Sequence, residues 1–300
     1  MRLSDRFDWT ARTYVMGILN ITPDSFSGDG LAQASDATGD TVARTLLQAG
    51  RFVDAGADIL DIGAESTRPG AVTKGAAAEA ERLVPIVSAL RASFPETLIS
   101  VDTYRAAVAE QALDAGADFV NDVWGFRADP DMGALAAARG VPVILMHNRS
   151  KPGDAEIDAR LGGQYRGPHY DELLADIARE MEALANNART AGVDRDQIIL
   201  DPGLGFGKTV EQNLAIMNNL DAFEGLGYPI LVGPSRKSFI GRVLDLPVED
   251  RIEGTAATLA ICIARGANIV RVHDVEAMVR VVRMTDAMLR ADPAANPETP

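Results

Sequence analysis

Short apolar runs recur along this chain, each ending on a polar residue or a glycine, with helical periodicity filling the intervals. The run Ile198–Leu200 leads into Asp201 and is broken by Pro202-Gly203. It reads as a strand buried on both faces, with a carboxylate at its C-terminal end. The same pattern predicts strands at Tyr14–Leu19, Ile59–Ala64, Leu98–Val101, Phe119–Val123, Val141–Met146, Pro229–Gly233 and Ile269–Val272. Helical spacing covers Thr41–Asp54, Ala76–Phe94, Arg105–Ala115, Met132–Ala138, Asp171–Ala191, Val210–Leu220, Glu253–Ala264 and a last stretch to Leu289. Three junctions echo one another: AGAD at 55–58, AGAD at 115–118 and RGAN at 265–268, each with a glycine suited to ending a helix.

Eight strand–helix units in series predict a single-domain (β/α)8 TIM barrel over residues 13–290, with an open doubly wound sheet as the runner-up. Residues 1–12 read as a loosely held arm and 291–300, rich in proline, as a flexible tail. Three segments have no periodicity: the loop after Asn20 to about Asp40, the loop from Glu65 to Lys74, and the stretch from Asn148 to Tyr170.

Parallel strands all end on one rim, and barrel enzymes do their chemistry there. The rim positions are Asn20, Asp61, Asp102, Asn121, His147, Asp201, Ser235 with Lys237, and Arg271 with His273. A full ring of such groups is hard to explain structurally, because a buried carboxylate without a partner costs several kcal/mol. Asp102, Asn121, Asp201 and Lys237 suit a flat heterocycle with an amino-pyrimidinone edge, which presents N–H donors beside a carbonyl. Arg271 and His273 lie two apart on one strand and face the same way, so with Lys237 they are able to hold a phosphate; Arg271 is also able to stack on the heterocycle. Aromatic residues make up only 5% of the chain, which argues against the stacking platforms a sugar would want.

Charge narrows the partners. With 29 basic against 43 acidic residues the net charge is −14, which speaks against nucleic acid or an anionic membrane, so an anionic substrate needs a local basic cluster. No stretch has the length and apolarity of a membrane span, and the first residues have no apolar signal core; a cytoplasmic protein is expected. The one cysteine, Cys262, lies in an apolar helical run and reads as buried and inert.

Other motifs fail. Gly207-Lys208-Thr209 resembles the end of a phosphate loop, but Pro202 stands where that loop needs a glycine. Gly203, Gly205 and Gly207 alternate, which is not the dinucleotide spacing. His147, His169 and His273 lack the spacing of a zinc site. Ser235 has no evident base partner in sequence, and nothing reads as a nucleophile.

The segments GILNITPDSFSGDG, DIGAESTRPGA, SVDTYRAAVAE, NDVWG, ILMH, LDPGLGFGK, GPSRKSFIG and RVHDV occur in this order. Together they closely resemble the dihydropteroate synthases, over about Tyr14 to Leu289. The resemblance implies a barrel, a homodimer and a Mg²⁺-dependent condensation of 7,8-dihydropterin-6-ylmethyl diphosphate with 4-aminobenzoate, the step blocked by sulfonamides. By motif it implies that Asp102, Asn121, Met146, Asp201, Phe206, Lys237 and Arg271 hold the pterin. Asn20, Arg68, Arg271 and His273 are implied for the diphosphate, with Asn20 reaching Mg²⁺ and Asp61 near the metal. Phe26, Thr67, Arg68, Pro69, Phe206, Lys237 and Ser238 are implied for 4-aminobenzoate. Asp102, Asp201, Lys237, Arg271 and His273 carry the implied catalysis. Two rivals share the barrel: a methyltransferase moving a methyl group from a methyltetrahydrofolate, and a non-catalytic pterin-binding paralogue. Neither needs the STRPG loop together with the SRKS and R-x-H clusters.

Overall fold

The apolar runs form eight parallel strands, β1 (Tyr14–Asn20), β2 (Ile59–Gly63), β3 (Leu98–Asp102), β4 (Phe119–Asp122), β5 (Val143–Met146), β8 (Ile198–Asp201), β9 (Leu231–Val232) and β10 (Ile269–Val272). A computed structural model provides the structure, and it describes residues 1–21, 38–65, 75–150, 155–158, 160–165 and 169–291. The sheet runs β8-β5-β4-β3-β2-β1-β10-β9, and one parallel bridge, Leu200 to Ile230, brings its two ends together. β9 is shorter than the expected Pro229–Gly233, because Pro229 has no N–H to give; its carbonyl instead accepts from Leu200 N at 3.0 Å, at the closing seam.

Helices α1 (Thr38–Ala55), α2 (Ala76–Ser93), α3 (Ala106–Asp114), α4 (Met132–Arg139), α5 (Leu173–Thr190), α6 (Val210–Asn218), α7 (Ser238–Leu244), α8 (Ile252–Ala264) and α9 (Val275–Leu289) follow the strands. Their apolar stripes bury against the outside of the barrel: Ile177, Met181, Leu184 and Ala188 on α5, and Val275, Met278, Val279 and Val282 on α9. The stretch after His147 departs from its irregular reading. It holds an antiparallel hairpin of β6 (Ala155–Asp158) and β7 (Gly162–Tyr165). The reversal is made by Asp158, whose Oδ1 accepts from the backbone N–H of Arg160 and Leu161. Strands this short show no alternation to read.

The echoing junctions have a physical reason beyond their glycines. Asp58, Asp118 and Asn268 each accept, through a side-chain oxygen, a backbone N–H at the entry of an adjacent strand: Val15, Ile99 and Ile230, all at 2.8 Å. Each residue's own N–H returns to the carbonyl of that same partner, at 2.7 to 2.9 Å. Three times, then, a helix end is clamped to the barrel's lower rim by one side chain.

Inside the barrel the lowest layer takes one residue from each strand: Met16, Ile59, Leu98, Phe119, Ile144, Ile199, Leu231 and Ile269. Leu3 and Phe7 close it from below, with Trp9 stacked on Phe7 at 4.7 Å and Tyr14 edge-on at 4.8 Å. The first twelve residues are therefore a plug rather than a loose arm, a departure from the sequence reading. The signal was present in Leu3, Phe7 and Trp9, spaced too irregularly to register as an element. Phe7→Ala should cost about 3–4 kcal/mol, seen as a lower denaturation midpoint, with KM and kcat unmoved because the plug is at the end opposite the rim.

Candidate active site

Two residues beyond the apolar floor, the inward positions change character. They become Ile18, Asp61, Ser100, Asn121, Met146, Asp201, Gly233 and Arg271. The alternation of a strand places this second layer directly above the first. Gly63 and Gly233 contribute no side chain; a Cβ there would meet only Asp102 and Arg271, at 3.5 and 3.7 Å. These glycines keep the upper barrel open beside the charged groups.

Arg271 ties the layer together. Its Nε donates to Asp61 at 2.6 Å and its Nη2 to Asp102 at 2.9 Å. Asp61 is fully buried and also accepts from Ser100 Oγ at 2.6 Å and Asn121 Nδ2 at 3.3 Å. Its oxygens thus accept from three protein donors, which makes Asp61 the anchor of Arg271 and Asn121. Burial pushes the Asp102 carboxyl up to about 7, against the pull of Arg271. Asp201 is likewise driven up to about 6 by burial, restrained by the Gly203 N–H that reaches its Oδ1 at 2.6 Å and by Lys237.

The two loops that end β9 and β10 are cross-linked. Ser235 Oγ accepts from the His273 N–H at 3.1 Å and sits 3.0 Å from its Nδ1, while Arg236 pairs with Asp274 through Nε at 2.9 Å. Asn20, at the end of β1, places its amide nitrogen 3.5 Å from His273 Nε2. Lys237 lies with its ammonium 4.0 Å from the centre of the Phe206 ring, which brings the GFGK and SRKS segments into contact. Gly205 permits this approach, because a Cβ there would stand 2.9 Å from Lys237 Cδ.

The structure therefore brings together Asp61, Asn121, Asp201 and Arg271 in one layer, with Asp102 one step above Ser100 on β3 and joined to that layer through Arg271. Lys237 with Phe206, and His273 with Asn20, stand at its edge. Met146 is buried against the Gly203 turn. Two expected rim groups face elsewhere. His147 follows Met146 and so points to the other side of β5, where its Nε2 meets Glu180 at 2.9 Å. Ser238 donates its hydroxyl to Gly163 O of β7 at 2.5 Å. Phe26, Thr67, Arg68 and Pro69 lie outside the described residues.

Sequence reasoning missed several members. Lys208 is part of the failed phosphate-loop motif, and Glu180 lies unmarked within the helical stretch Asp171–Ala191. Arg105, the residue before α3, is wedged between Glu65 and Glu79. No grouping of three or more His, Cys, Asp or Glu suited to a metal occurs among the described residues. A hydrated Mg²⁺ bound mainly through substrate phosphates needs only one or two protein oxygens, and the amide oxygen of Asn20 suits that requirement.

Comparison with known proteins bears on what this rim does. The family model described as pterin binding enzyme matches residues 16–273. The chain is 47% identical over 278 residues to the dihydropteroate synthase of Bacillus subtilis (strain 168), covering 93% of this chain and 89% of that one. Among solved structures it is similar to the dihydropteroate synthase of Clostridium difficile crystallised in the presence of pteroic acid, with a TM-score of 0.84, 42% identity and coverage of 95% and 100% of the two chains. It is similar too to the Yersinia pestis dihydropteroate synthase in complex with a sulfonamide drug, with a TM-score of 0.85, 37% identity and coverage of 95% and 97%.

Proposed function

Since the chain belongs to the pterin-binding enzymes, we infer that it acts as a dihydropteroate synthase, joining 7,8-dihydropterin-6-ylmethyl diphosphate to 4-aminobenzoate in folate biosynthesis. The carrying observation is the polar cluster of Asp102, Asn121, Asp201 and Arg271 above an apolar floor, with Lys237 at its edge. The methyltransferase alternative is not favoured, because the relatives matched over nearly the whole chain are dihydropteroate synthases.

In the reaction the methylene C–O bond to diphosphate breaks, a C–N bond to the arylamine forms, and the amine loses a proton. The electron-rich pterin spreads positive charge as the anion leaves, so a loose displacement without a covalent enzyme intermediate is the favoured path. Asp102 and Asp201 would hold the pterin edge and counter its developing charge, in a site where water does not weaken them. Asn121 and Lys237 would complete the edge, and Arg271 would lie over the ring and reach toward the departing diphosphate with His273. Asn20 would help to hold Mg²⁺, whose charge would neutralise the diphosphate. Phe206 and Lys237 would wall the 4-aminobenzoate site together with Phe26, Thr67, Arg68 and Pro69. Ser238 would contribute there only after giving up its bond to Gly163.

A homodimer is part of the proposal. Exposed Leu214 of α6, Val243 and Leu244 of α7, Ile261 of α8, and Met284, Met288 and Leu289 of α9 lie on successive helices of one outer side. Such an apolar face is what a subunit contact requires. Cytoplasmic residence belongs to the same proposal, for a chain whose single cysteine permits no disulfide within it. Among the described residues no helix is long and apolar enough to cross a membrane.

One assay tests the reading: diphosphate release that requires both 4-aminobenzoate and Mg²⁺, with a sulfonamide competing against 4-aminobenzoate. Within it Lys237→Ala should raise the pterin KM by roughly 10-fold or more, and Arg68→Ala should act mainly on acceptor use. Release without 4-aminobenzoate, or unchanged kinetics in both variants, would sink it.

A further inference from the structure

Lys208 is 3% exposed, and an ammonium buried without compensation costs several kcal/mol. Its compensation is specific. Nζ donates to Gly203 O at 2.9 Å, Phe206 O at 3.2 Å and His147 Nδ1 at 3.1 Å. The Gly203 to Lys208 loop thus folds back on its own last side chain. Gly203 has a φ of +70°, and a Cβ there would lie 2.0 Å from His147 O, so the turn admits no other residue and seats the loop on the end of β5.

The two carbonyls held by Lys208 belong to peptides with roles at the rim. Gly203 gives its N–H to Asp201 Oδ1 at 2.6 Å, and Phe206 carries the ring beneath the Lys237 ammonium. On the other side burial lowers the Lys208 ammonium to about 7, but the Glu180 carboxylate at Nε2 only accepts, so the N–H of the imidazole lies on Nε2 and Nδ1 is left to accept from Nζ. That N–H donates to Glu180 Oε2 at 2.9 Å, and Glu180 also accepts from Arg149 Nε at 3.0 Å. Burial holds the His147 imidazole down to about 4, so it stays neutral, as this chain of bonds requires. The charged groups around the pair are Asp201 on β8, Glu180 on α5, Lys237 before α7, Arg149 after β5 and Arg127 after β4.

We propose that Lys208 is a positioning residue for the pterin side of the pocket, fixing Asp201 and Phe206 through the Gly203 and Phe206 carbonyls and braced through His147 to Glu180. This rests on the pterin reading above. A neutral side chain of similar length fills the space but leaves the Phe206 carbonyl and the imidazole without this donor and the Gly203 carbonyl with the Phe206 N–H alone, at 3.1 Å, and the loop is then free to turn its peptides toward water. The diphosphate end of the site, at Asn20 and His273, has no contact with Lys208 and keeps its geometry.

The test uses the full chain and 6-hydroxymethylpterin as calorimetric probe. Lys208→Met should weaken pterin binding about 10–100-fold, the cost of unsatisfied buried acceptors, while the inhibition constant of inorganic diphosphate stays within about twofold. Ring ¹⁵N spectra of the wild-type protein should show His147 as the neutral Nε2–H tautomer. Glu180→Gln, which keeps the shape of the helix, should weaken the pterin a few-fold and leave diphosphate unchanged; it serves also if Lys208→Met does not fold. Equal pterin binding in wild type and variants, equal losses for pterin and diphosphate, or an Nδ1–H tautomer at His147 would each overturn the positioning role. A wild-type protein that binds no pterin would instead remove the functional reading on which it stands.

Discussion

Arg271→Met is expected to lower stability by about 3–5 kcal/mol at neutral pH and to reduce kcat/KM by more than about 100-fold. The stability loss follows from what the guanidinium leaves behind. Asp61 is fully buried, and Asp102 stands one step above it on the neighbouring strand, with Arg271 as their shared partner. Ser100 and Asn121 still serve Asp61, but both are neutral and neither reaches Asp102. Without the cation one carboxyl must take up a proton, so the deficit should be smaller at about pH 5 than at about pH 8, which marks the loss as electrostatic rather than steric. Lysine should not restore the protein, because one ammonium cannot give two separated carboxylates the fork that Nε and Nη2 supply. Urea titrations of the parent, Arg271→Met and Arg271→Lys at both pH values decide the matter. A methionine variant within about 1 kcal/mol of the parent at pH 8 would mean that Asp61 and Asp102 do not depend on Arg271.

How much of this was legible in the sequence depends on distance along the chain. Strand ends were readable because an apolar run that stops at Asp102 or Asp201 announces both a strand and a rim, and parity then places Arg271 and His273 on one side. What parity alone could not give was partnership. Asp61 and Arg271 are 210 residues apart, and only barrel closure shows that the two are partners. His147 looked like a rim residue because it ends an apolar run; the alternation that puts Met146 inside turns His147 out, an inference available from the sequence but not drawn. Lys208 was hidden by a motif test that failed for the right reason and then discarded the lysine with the motif. The amino-terminal plug was hidden because Leu3, Phe7 and Trp9 bury themselves by tertiary packing, without periodicity.

Catalytic efficiency toward the pterin diphosphate should climb between about pH 5 and pH 8, while the two acids that carry the climb take stability from the ligand-free protein up to about pH 7. Asp102, pushed up to about 7, and Asp201, pushed up to about 6, hold protons in the folded chain that the unfolded chain releases near 3.8. The folded state therefore binds more protons between the unfolded and folded values, and stability falls with rising pH through that window, by on the order of 1.4 kcal/mol for each unit of displacement. Below about pH 4 both states are protonated and the effect is absent; above about 7 the destabilisation is complete and constant. Asp122 and Glu79, raised by burial, add to this fall, whereas His147, lowered by burial to about 4, opposes it below about pH 6.5, and Lys208, lowered by burial to about 7, opposes it above that value; the share of the pair is therefore read from the difference between the parent and Asp201→Asn. A pterin edge that gives N–H bonds wants both carboxylates ionised, so binding pulls their protons off and affinity rises as they leave. The two act as a pair facing Arg271, and the profile should show apparent values belonging to the pair rather than to either residue. Asp201→Asn should lose the lower step, cut pterin affinity by roughly 100-fold, and flatten the pH dependence of unliganded stability near pH 6. Melting curves with and without pterin, run beside kcat/KM from about pH 5 to pH 8, should diverge as pH rises; parallel curves or a flat kinetic profile would show that these two acids do not meet the substrate as anions.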